Sequence, residues 1–204
     1  MFNYDGEMYD RKDTWRLRAK KEGYRSRAVY KLAQIAEKEK AVRPGNRVID
    51  AGAAPGGWSQ LLLELVGGNG KVAAVDLLAM NPLPGDNFRF WQKDLADPTL
   101  SGELLEFLGG RADIVLSDAA PNTTGSAFTD QVRSADLVRT VFSLARETLK
   151  SGGTFIAKIF TGAESDTVFA ELKPFFRELR RVRPEATRKE SFELYLLGKG
   201  FKGD

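Results

Sequence analysis

The 204-residue chain contains neither cysteine nor histidine. Without cysteine there is no disulfide framework, no thiolate metal site and no thiol nucleophile, so a pyrimidine-C5 methyltransferase that attacks its base through sulfur is excluded. Without histidine, His-based triads, imidazole metal sites and the commonest general base are all missing. Acid–base chemistry therefore falls to Asp, Glu, Lys or Tyr, and no metal is expected. Long apolar runs are also lacking: Leu61-Leu62-Leu63 is broken by Glu64, far short of the roughly 20 residues that a membrane-spanning helix needs. The opening Met1-Phe2-Asn3-Tyr4-Asp5 has no basic stretch leading into an apolar core, so it does not read as a secretory signal. A cytoplasmic monomer with no membrane partner is expected.

Hydrophobic residues make up 42% of the chain, enough for one α/β domain with a real core and a short appendage. The net charge of +3 is unevenly placed. Arg11, Lys12, Arg16, Arg18, Lys20, Lys21, Arg25, Arg27 and Lys31 face only Asp13 and Glu22 across the same stretch. Such clustering is the footprint of a polyanion site. It is equally what a solvated basic arm shows, and charge alone does not choose between them.

Residues 1–25 lack an apolar period and read as a basic arm. From residue 26 to 204 the chain reads as one domain. Ser26 is a candidate N-cap, Ala28, Leu32, Ile35 and Ala36 form a helical stripe, and Pro44-Gly45 ends the segment. Short apolar runs then alternate with amphipathic stretches. Strands are expected at Arg47–Asp50, Lys71–Asp76, Phe88–Trp91, Ala112–Ser117, Thr154–Ile159, Glu178–Val182 and Phe192–Leu197. Helices are expected at Gly57–Val66, Gly102–Leu108, Asp130–Leu149 and Glu164–Phe175. This alternation predicts a mostly parallel sheet covered on both faces, with right-handed crossovers.

Three strands end in a carboxylate, Asp50, Asp76 and Asp118, and Lys158 sits late in a fourth. In open α/β sheets ligands bind beyond the carboxyl ends of the strands, so these groups point at one crevice. The first strand runs into Ala51-Gly52-Ala53-Ala54-Pro55-Gly56-Gly57-Trp58. Its small residues admit a ligand close to the backbone, and the next helix aims its N–H groups there. The spacing is not that of a dinucleotide fingerprint, and Pro55 removes an N–H that a pyrophosphate would use, which favours S-adenosylmethionine over NAD. A plain tight turn is the alternative. Asp76, about twenty residues past the glycines, is placed to accept from ribose hydroxyls. Asp94 is placed for an adenine amino group or, alternatively, for capping near Asp97-Pro98.

Methyl transfer to oxygen needs alignment, loss of the hydroxyl proton and stabilisation of the developing charge. Lys158 lies in a run with the look of a buried strand, where lysine is rare without a partner; Asp118 and Glu193 are the expected partners. Burial lowers a lysine pKa and adjacent carboxylates raise it, so the residue reads either as a base or as a steering cation. Snorkelling to water is the plain alternative for Lys158, and for Lys31 beside its helix stripe. Asp118 reads equally as a turn residue.

Taken in order, Ser26-Arg27-Ala28-Val29-Tyr30-Lys31-Leu32, Asp50 through Gln60, Ala74-Val75-Asp76-Leu77-Leu78, Leu116-Ser117-Asp118-Ala119-Ala120-Pro121-Asn122, Ala157-Lys158-Ile159-Phe160 and Arg188 through Leu196 resemble the FtsJ/RrmJ family of ribosomal RNA large-subunit 2′-O-ribose methyltransferases. The resemblance implies a single Rossmann-like class I S-adenosylmethionine-dependent domain whose seven-stranded sheet has its last strand antiparallel. It implies a catalytic tetrad at Lys31, Asp118, Lys158 and Glu193, with Lys158 as proton acceptor or steering group. It implies cofactor contacts at Gly56, Trp58, Asp76, Asp94 and Asp118. The substrate it implies is a uridine ribose in 23S ribosomal RNA, free or in the assembled large subunit. Arg16, Arg18, Lys20, Lys21, Arg25 and Arg27 would then grip RNA phosphates. The chain departs from the family pattern at Ala119, where methionine is expected, and at Ala51, where leucine is expected. It also differs around the glutamate, where Glu190 competes with Glu193. Transfer RNA 2′-O-methylation and a non-catalytic ribosome-assembly role on the same fold are the competing readings. An amino-group methyltransferase fits less well, because the loop after Asp118 lacks the expected aromatic.

Overall fold

A computed structural model describes residues 14–188 and 190–203. Arg11, Lys12 and the rest of 1–13 lie outside the described residues, as do Lys189 and Asp204. The elements in chain order are α1 (Thr14–Glu22), α2 (Val29–Glu39), β1 (Arg47–Ala51), α3 (Gly57–Val66), β2 (Lys71–Asp76), β3 (Phe88–Gln92), α4 (Leu100–Leu108), β4 (Ala112–Ser117), α5 (Ala127–Thr148), β5 (Leu149–Phe160), α6 (Ala163–Leu172), a 3-10 turn at Lys173–Phe175, β6 (Phe176–Val182) and β7 (Glu193–Phe201). No helix among the described residues is long and apolar enough to cross a membrane.

The seven strands form one sheet in the order β3-β2-β1-β4-β5-β7-β6. β1 to β5 run parallel, and β7 pairs antiparallel with both β5 and β6. The inner strands are Val/Ile/Leu/Ala-rich because both faces are covered. Leu100, Leu104, Val138, Val141 and Val168 of α4, α5 and α6 pack on one face. Val29, Leu32, Ile35, Leu62 and Val66 of α2 and α3, with Ala19 of α1, pack on the other. α5 starts at Ser126, whose hydroxyl accepts from the Thr129 N–H, a side-chain cap that satisfies one orphan donor.

Three local expectations are corrected. Ser26 does not cap α2: the capping position is Ala28, in helical geometry and without a side-chain bond. α2 stops well before Pro44-Gly45, because Lys40 adopts a left-handed conformation (φ 49°) and closes the last turn onto the Ala36 carbonyl. Within the stretch that shows no apolar period, Thr14–Glu22 is helical, held by the buried Ala19 and by Trp15 packed 4.8 Å from the Tyr30 ring. Docking of so few residues leaves no periodic trace in the sequence.

The far end of α2 is clamped as well. The Lys199 ammonium on β7 donates to the Glu39 carboxylate at 3.0 Å, and Arg180 on β6 bonds the same oxygen. Burial pushes the Glu39 carboxyl up, but the two cations more than offset it, and the net shift is downward. α2 is thereby tied to the antiparallel edge of the sheet over its last turn.

Candidate active site

Strand alternation places the polar groups. Side chains two apart on a strand share a face. Val48, Ala74, Leu116, Ile156 and Leu197 all pack on the α1–α3 side. Asp50, Asp76, Asp118, Lys158, Tyr195 and Glu193 continue those same rows, each at the end of its strand that opens on the crevice.

The Lys158 Nζ donates to the Asp118 main-chain oxygen at 2.5 Å and stands 3.1 Å from the Asp118 Oδ1. Both side chains are largely buried, at 8% and 15% exposure. The Tyr195 hydroxyl donates to the same Oδ1 at 2.6 Å. Lys158 is the register partner of Tyr195, and Glu193 lies opposite Phe160 one pleat further. Lys31, reaching in from α2, forms an ion pair with Glu193. The sequence suggests Glu193 as a partner of Lys158; the structure pairs it with Lys31 instead. Glu190, its competitor by sequence, is exposed in the preceding loop.

Two residues to which sequence reasoning gave no role belong to the framework of the site. Tyr195 is fully buried and stacks on Trp58 at 5.8 Å, while the Trp58 Nε1 donates to the Ala28 oxygen at 2.8 Å. This stitches β7, α3 and the start of α2 together. Burial pushes the Tyr195 phenol well above its ordinary value, and the Asp118 charge and hydrogen bond push it further, so it stays a neutral donor. The available signal was its spacing, two residues past Glu193 on the same face.

The second is Asp50, read from sequence as one of the carboxylates that point at the crevice. It is buried; its Oδ2 accepts from Ser59 at 2.6 Å, and its Oδ1 has no hydrogen-bond partner. Burial pushes its carboxyl up to about 7; the Ser59 bond opposes this, and the nearby Asp118 and Asp76 charges add to it.

The loop after β1 is shaped by close approach. Gly52 (φ +77°) lies so near Ala119 that an added Cβ would come within 2.4 Å of the Ala119 Cβ. At Gly56 (φ +105°) an added Cβ would come within 2.7 Å of the Met80 sulfur and 2.9 Å of the Arg25 guanidinium. Gly56 occupies the N-cap of α3 without any side-chain bond, so the first N–H groups of α3 lack intrahelical partners and attract negative charge. The Asp76 carboxylate is pinned beside this loop by the Ala54 and Leu78 N–H groups, each at 2.8 Å. Asp94, exposed beyond β3, closes a short turn onto the Ala96 N–H at 2.9 Å. Asp97 closes the turn before α4 by accepting from the Thr99 N–H and hydroxyl, and the N-cap position, Thr99, has no side-chain cap bond.

The six basic residues divide into two groups. Arg16, Lys20 and Lys21 are exposed on α1. Arg18 bonds Glu22 at 2.8 Å and lies over the Tyr30 ring. Arg25 donates to the carbonyls of Pro55, Asn81 and Pro82 at 3.3, 2.6 and 3.4 Å. Arg27 reaches the Ala186 carbonyl at 3.4 Å.

This arrangement can hold a ligand's anionic end at the α3 N-terminus and its hydroxyls at Asp76. It also presents two ammonium groups, each paired with a carboxylate, to a reacting atom in the same crevice. Residues 24–201 match the model of the FtsJ-like methyltransferase family. A ribosomal RNA large subunit methyltransferase E of Rhodopseudomonas palustris (strain TIE-1) is 48% identical over 194 residues, covering 94% of this chain and 81% of that protein. The protein of the same name in Methanothermobacter thermautotrophicus is 46% identical over 193 residues, covering 95% and 92%. Among solved structures, a protein of Plasmodium falciparum assigned as a ribosomal RNA methyltransferase superposes with a TM-score of 0.78 at 30% identity, covering 89% of this chain and all of that one.

Proposed function

This chain belongs to the FtsJ-like methyltransferase family, and from that premise we propose that it methylates a ribose 2′-hydroxyl, of a uridine, in large-subunit ribosomal RNA, using S-adenosylmethionine. The observation that carries the reading is the meeting of Lys158 with Asp118 and of Lys31 with Glu193 on one face of the sheet, at the strand ends. We take residues 1–25 as the RNA-gripping arm and 26–204 as the methyltransferase domain.

The first-turn N–H groups of α3, the backbone left bare by Gly52 and Gly56, and the fixed Asp76 carboxylate fit an amino-acid carboxylate and a ribose diol, as S-adenosylmethionine presents them. Gly56, Trp58, Asp76, Asp94 and Asp118 would line its site; when bound, it supplies an electrophilic methyl group. Lys158, held by Asp118, orients the 2′-oxygen and either takes its proton or stabilises the charge left as the proton departs. Lys31 adds a second cation whose direction Glu193 sets. Tyr195 keeps Asp118 in place from behind.

The test supplies methyl-labelled S-adenosylmethionine with unmodified large-subunit ribosomal RNA, assembled large subunits, and transfer RNA as separate substrates. Label entering the first two, in a dinucleotide that resists alkali, supports the reading. Label only in transfer RNA, or in an alkali-sensitive position, overturns it.

A further inference from the structure

Five large apolar side chains stand well exposed among the described residues, and two of them, Phe192 (75%) and Phe128 (71%), lie on the rim of the crevice. Phe192 directly precedes Glu193. Its carbonyl accepts from the Thr161 N–H at 2.6 Å, which fixes it beside the end of β5, three residues past Lys158. Phe128 is in the first turn of α5, at the carboxyl edge of the sheet. The turn that follows it is packed against the end of β5: Ser134 accepts from the Phe160 N–H at 3.0 Å, and the Gln131 side chain fills the space where a Gly162 Cβ would stand.

An exposed phenylalanine forgoes the roughly 1.5–3 kcal/mol that burial would contribute. Single instances are ordinary on protein surfaces. Two on ordered segments at the mouth of one site point to a ligand with flat apolar faces. Charges of both signs surround them. Arg183 and Arg188 precede Phe192 alongside Glu185 and Glu190, with Arg183 donating to the Arg188 and Ser191 carbonyls at 3.2 and 2.8 Å. Arg133 on α5 reaches the Asn122 carbonyl at 3.4 Å. Aromatic faces set among arginines suit single-stranded nucleic acid, whose bases stack while its phosphates meet the cations. Lys31, Lys158, Asp118 and Glu193 are largely buried, so a ribose reaches them only if its nucleotide leaves the helical stack.

Resting on the ribose-methylation reading above, we propose that Phe192 and Phe128 are stacking platforms, receiving the unstacked base of the target nucleotide and a neighbouring base. Phe192, next to Glu193, takes the base nearer the reacting ribose.

The experiment compares Phe192→Ala, Phe192→Trp and Phe128→Ala with the parent chain, using an unmodified large-subunit ribosomal RNA transcript. Affinity is measured without cofactor at several salt concentrations, and labelled methyl transfer is measured separately. Phe192→Ala is expected to bind RNA about tenfold more weakly and to show a similar fall in kcat/KM, the size of a single base stack. Its salt slope, melting temperature and cofactor affinity should stay unchanged, and Phe192→Trp should restore binding. Phe128→Ala should show a smaller effect. Unchanged RNA affinity in both alanine variants overturns the proposal. So does weaker binding accompanied by a shallower salt slope, which marks an interaction with phosphate, or a change in sedimentation with RNA affinity intact, which marks association between copies of the chain. If the parent chain binds the transcript but methylates no RNA, the methylation reading falls, and the affinity comparison still decides the role of the rim.

Discussion

Lys31 and Glu193, 162 positions apart, meet as an ion pair whose side chains are only 9% and 13% exposed. Taking two charges this far out of water is costly, and removing one partner strands the other. Glu193→Ala or Lys31→Ala should therefore destabilise the fold by about 3 kcal/mol. The double variant Lys31→Ala/Glu193→Ala should be less destabilised than the sum of the single changes. Urea unfolding of the four proteins measures this. Strict additivity would show that the ion pair carries no coupling energy.

Lys158 is held by the Asp118 main chain and carboxylate together, so both bonds set where its ammonium points. Lys158→Ala should reduce methyl transfer at least about 10³-fold, within the usual range for a proton-handling group, while cofactor affinity changes by less than about threefold. Single-turnover assays with equilibrium binding separate the two effects. Retention of near-parental turnover would remove Lys158 from the chemistry.

Tyr195 tests whether the Asp118 carboxylate must be held from two sides. Tyr195→Phe removes a donor at 2.6 Å while leaving the stack on Trp58. Stability should fall by about 1 kcal/mol. The rate constant kcat should fall several-fold with KM for RNA unchanged, because a loosened Asp118 misplaces Lys158. Equal changes in kcat and KM would point to a general loosening of β7.

The strand ends were legible from sequence because two simple rules place them. Apolar runs define the strands, and the carboxyl edge collects the ligands. Lys71–Asp76, Ala112–Ser117 and Gly57–Val66 appear with the boundaries expected from pattern. The antiparallel direction of β7 came from family resemblance, since alternation alone carries no strand direction, and its place between β5 and β6 was not legible. Which carboxylate meets which lysine was not legible either. Lys31 arrives from α2, and its approach depends on the Glu39 clamp, more than 140 residues distant in sequence from its partners. The helix at Thr14–Glu22 escaped because one buried alanine and one aromatic pair leave no period. Arg25 and Arg27 looked like surface charges, and only the folded chain brings them to the carbonyls they satisfy.

Asp50 should make stability pH-dependent in the direction opposite to most carboxylates. Its unfolded value is near 3.8, and burial raises the folded value to about 7. Between those values the folded protein holds a proton that the unfolded chain has released. Stability therefore falls as pH rises from about 4 to about 7 and is flat above, with a total change on the order of 4 kcal/mol. Asp50→Asn has no such titration. Urea melts at pH 5 and pH 8 should show the parent chain losing ground to Asp50→Asn on going to the higher pH. A constant difference between the two would mean that the buried carboxyl does not titrate in this window.

The basic stretch should separate into two functions when its residues are changed in groups. Arg16, Lys20 and Lys21 are exposed on α1, and Arg25 is bonded to the backbone of the loop at Pro55 and of the segment at Asn81–Pro82. Changing the first three to glutamine should weaken RNA binding and lower the slope of log affinity against log salt by about 0.7–0.9 for each phosphate no longer neutralised, leaving cofactor affinity unchanged. Arg25→Ala should do the reverse: the loop carrying Gly56 loosens, cofactor affinity drops several-fold, and the salt slope of RNA binding moves by less than one phosphate's share. Filter binding across a salt series, with cofactor titration on the same proteins, resolves the two. A common response in both groups would mean that Arg25 also meets RNA phosphates, and that its hold on the loop is secondary to them.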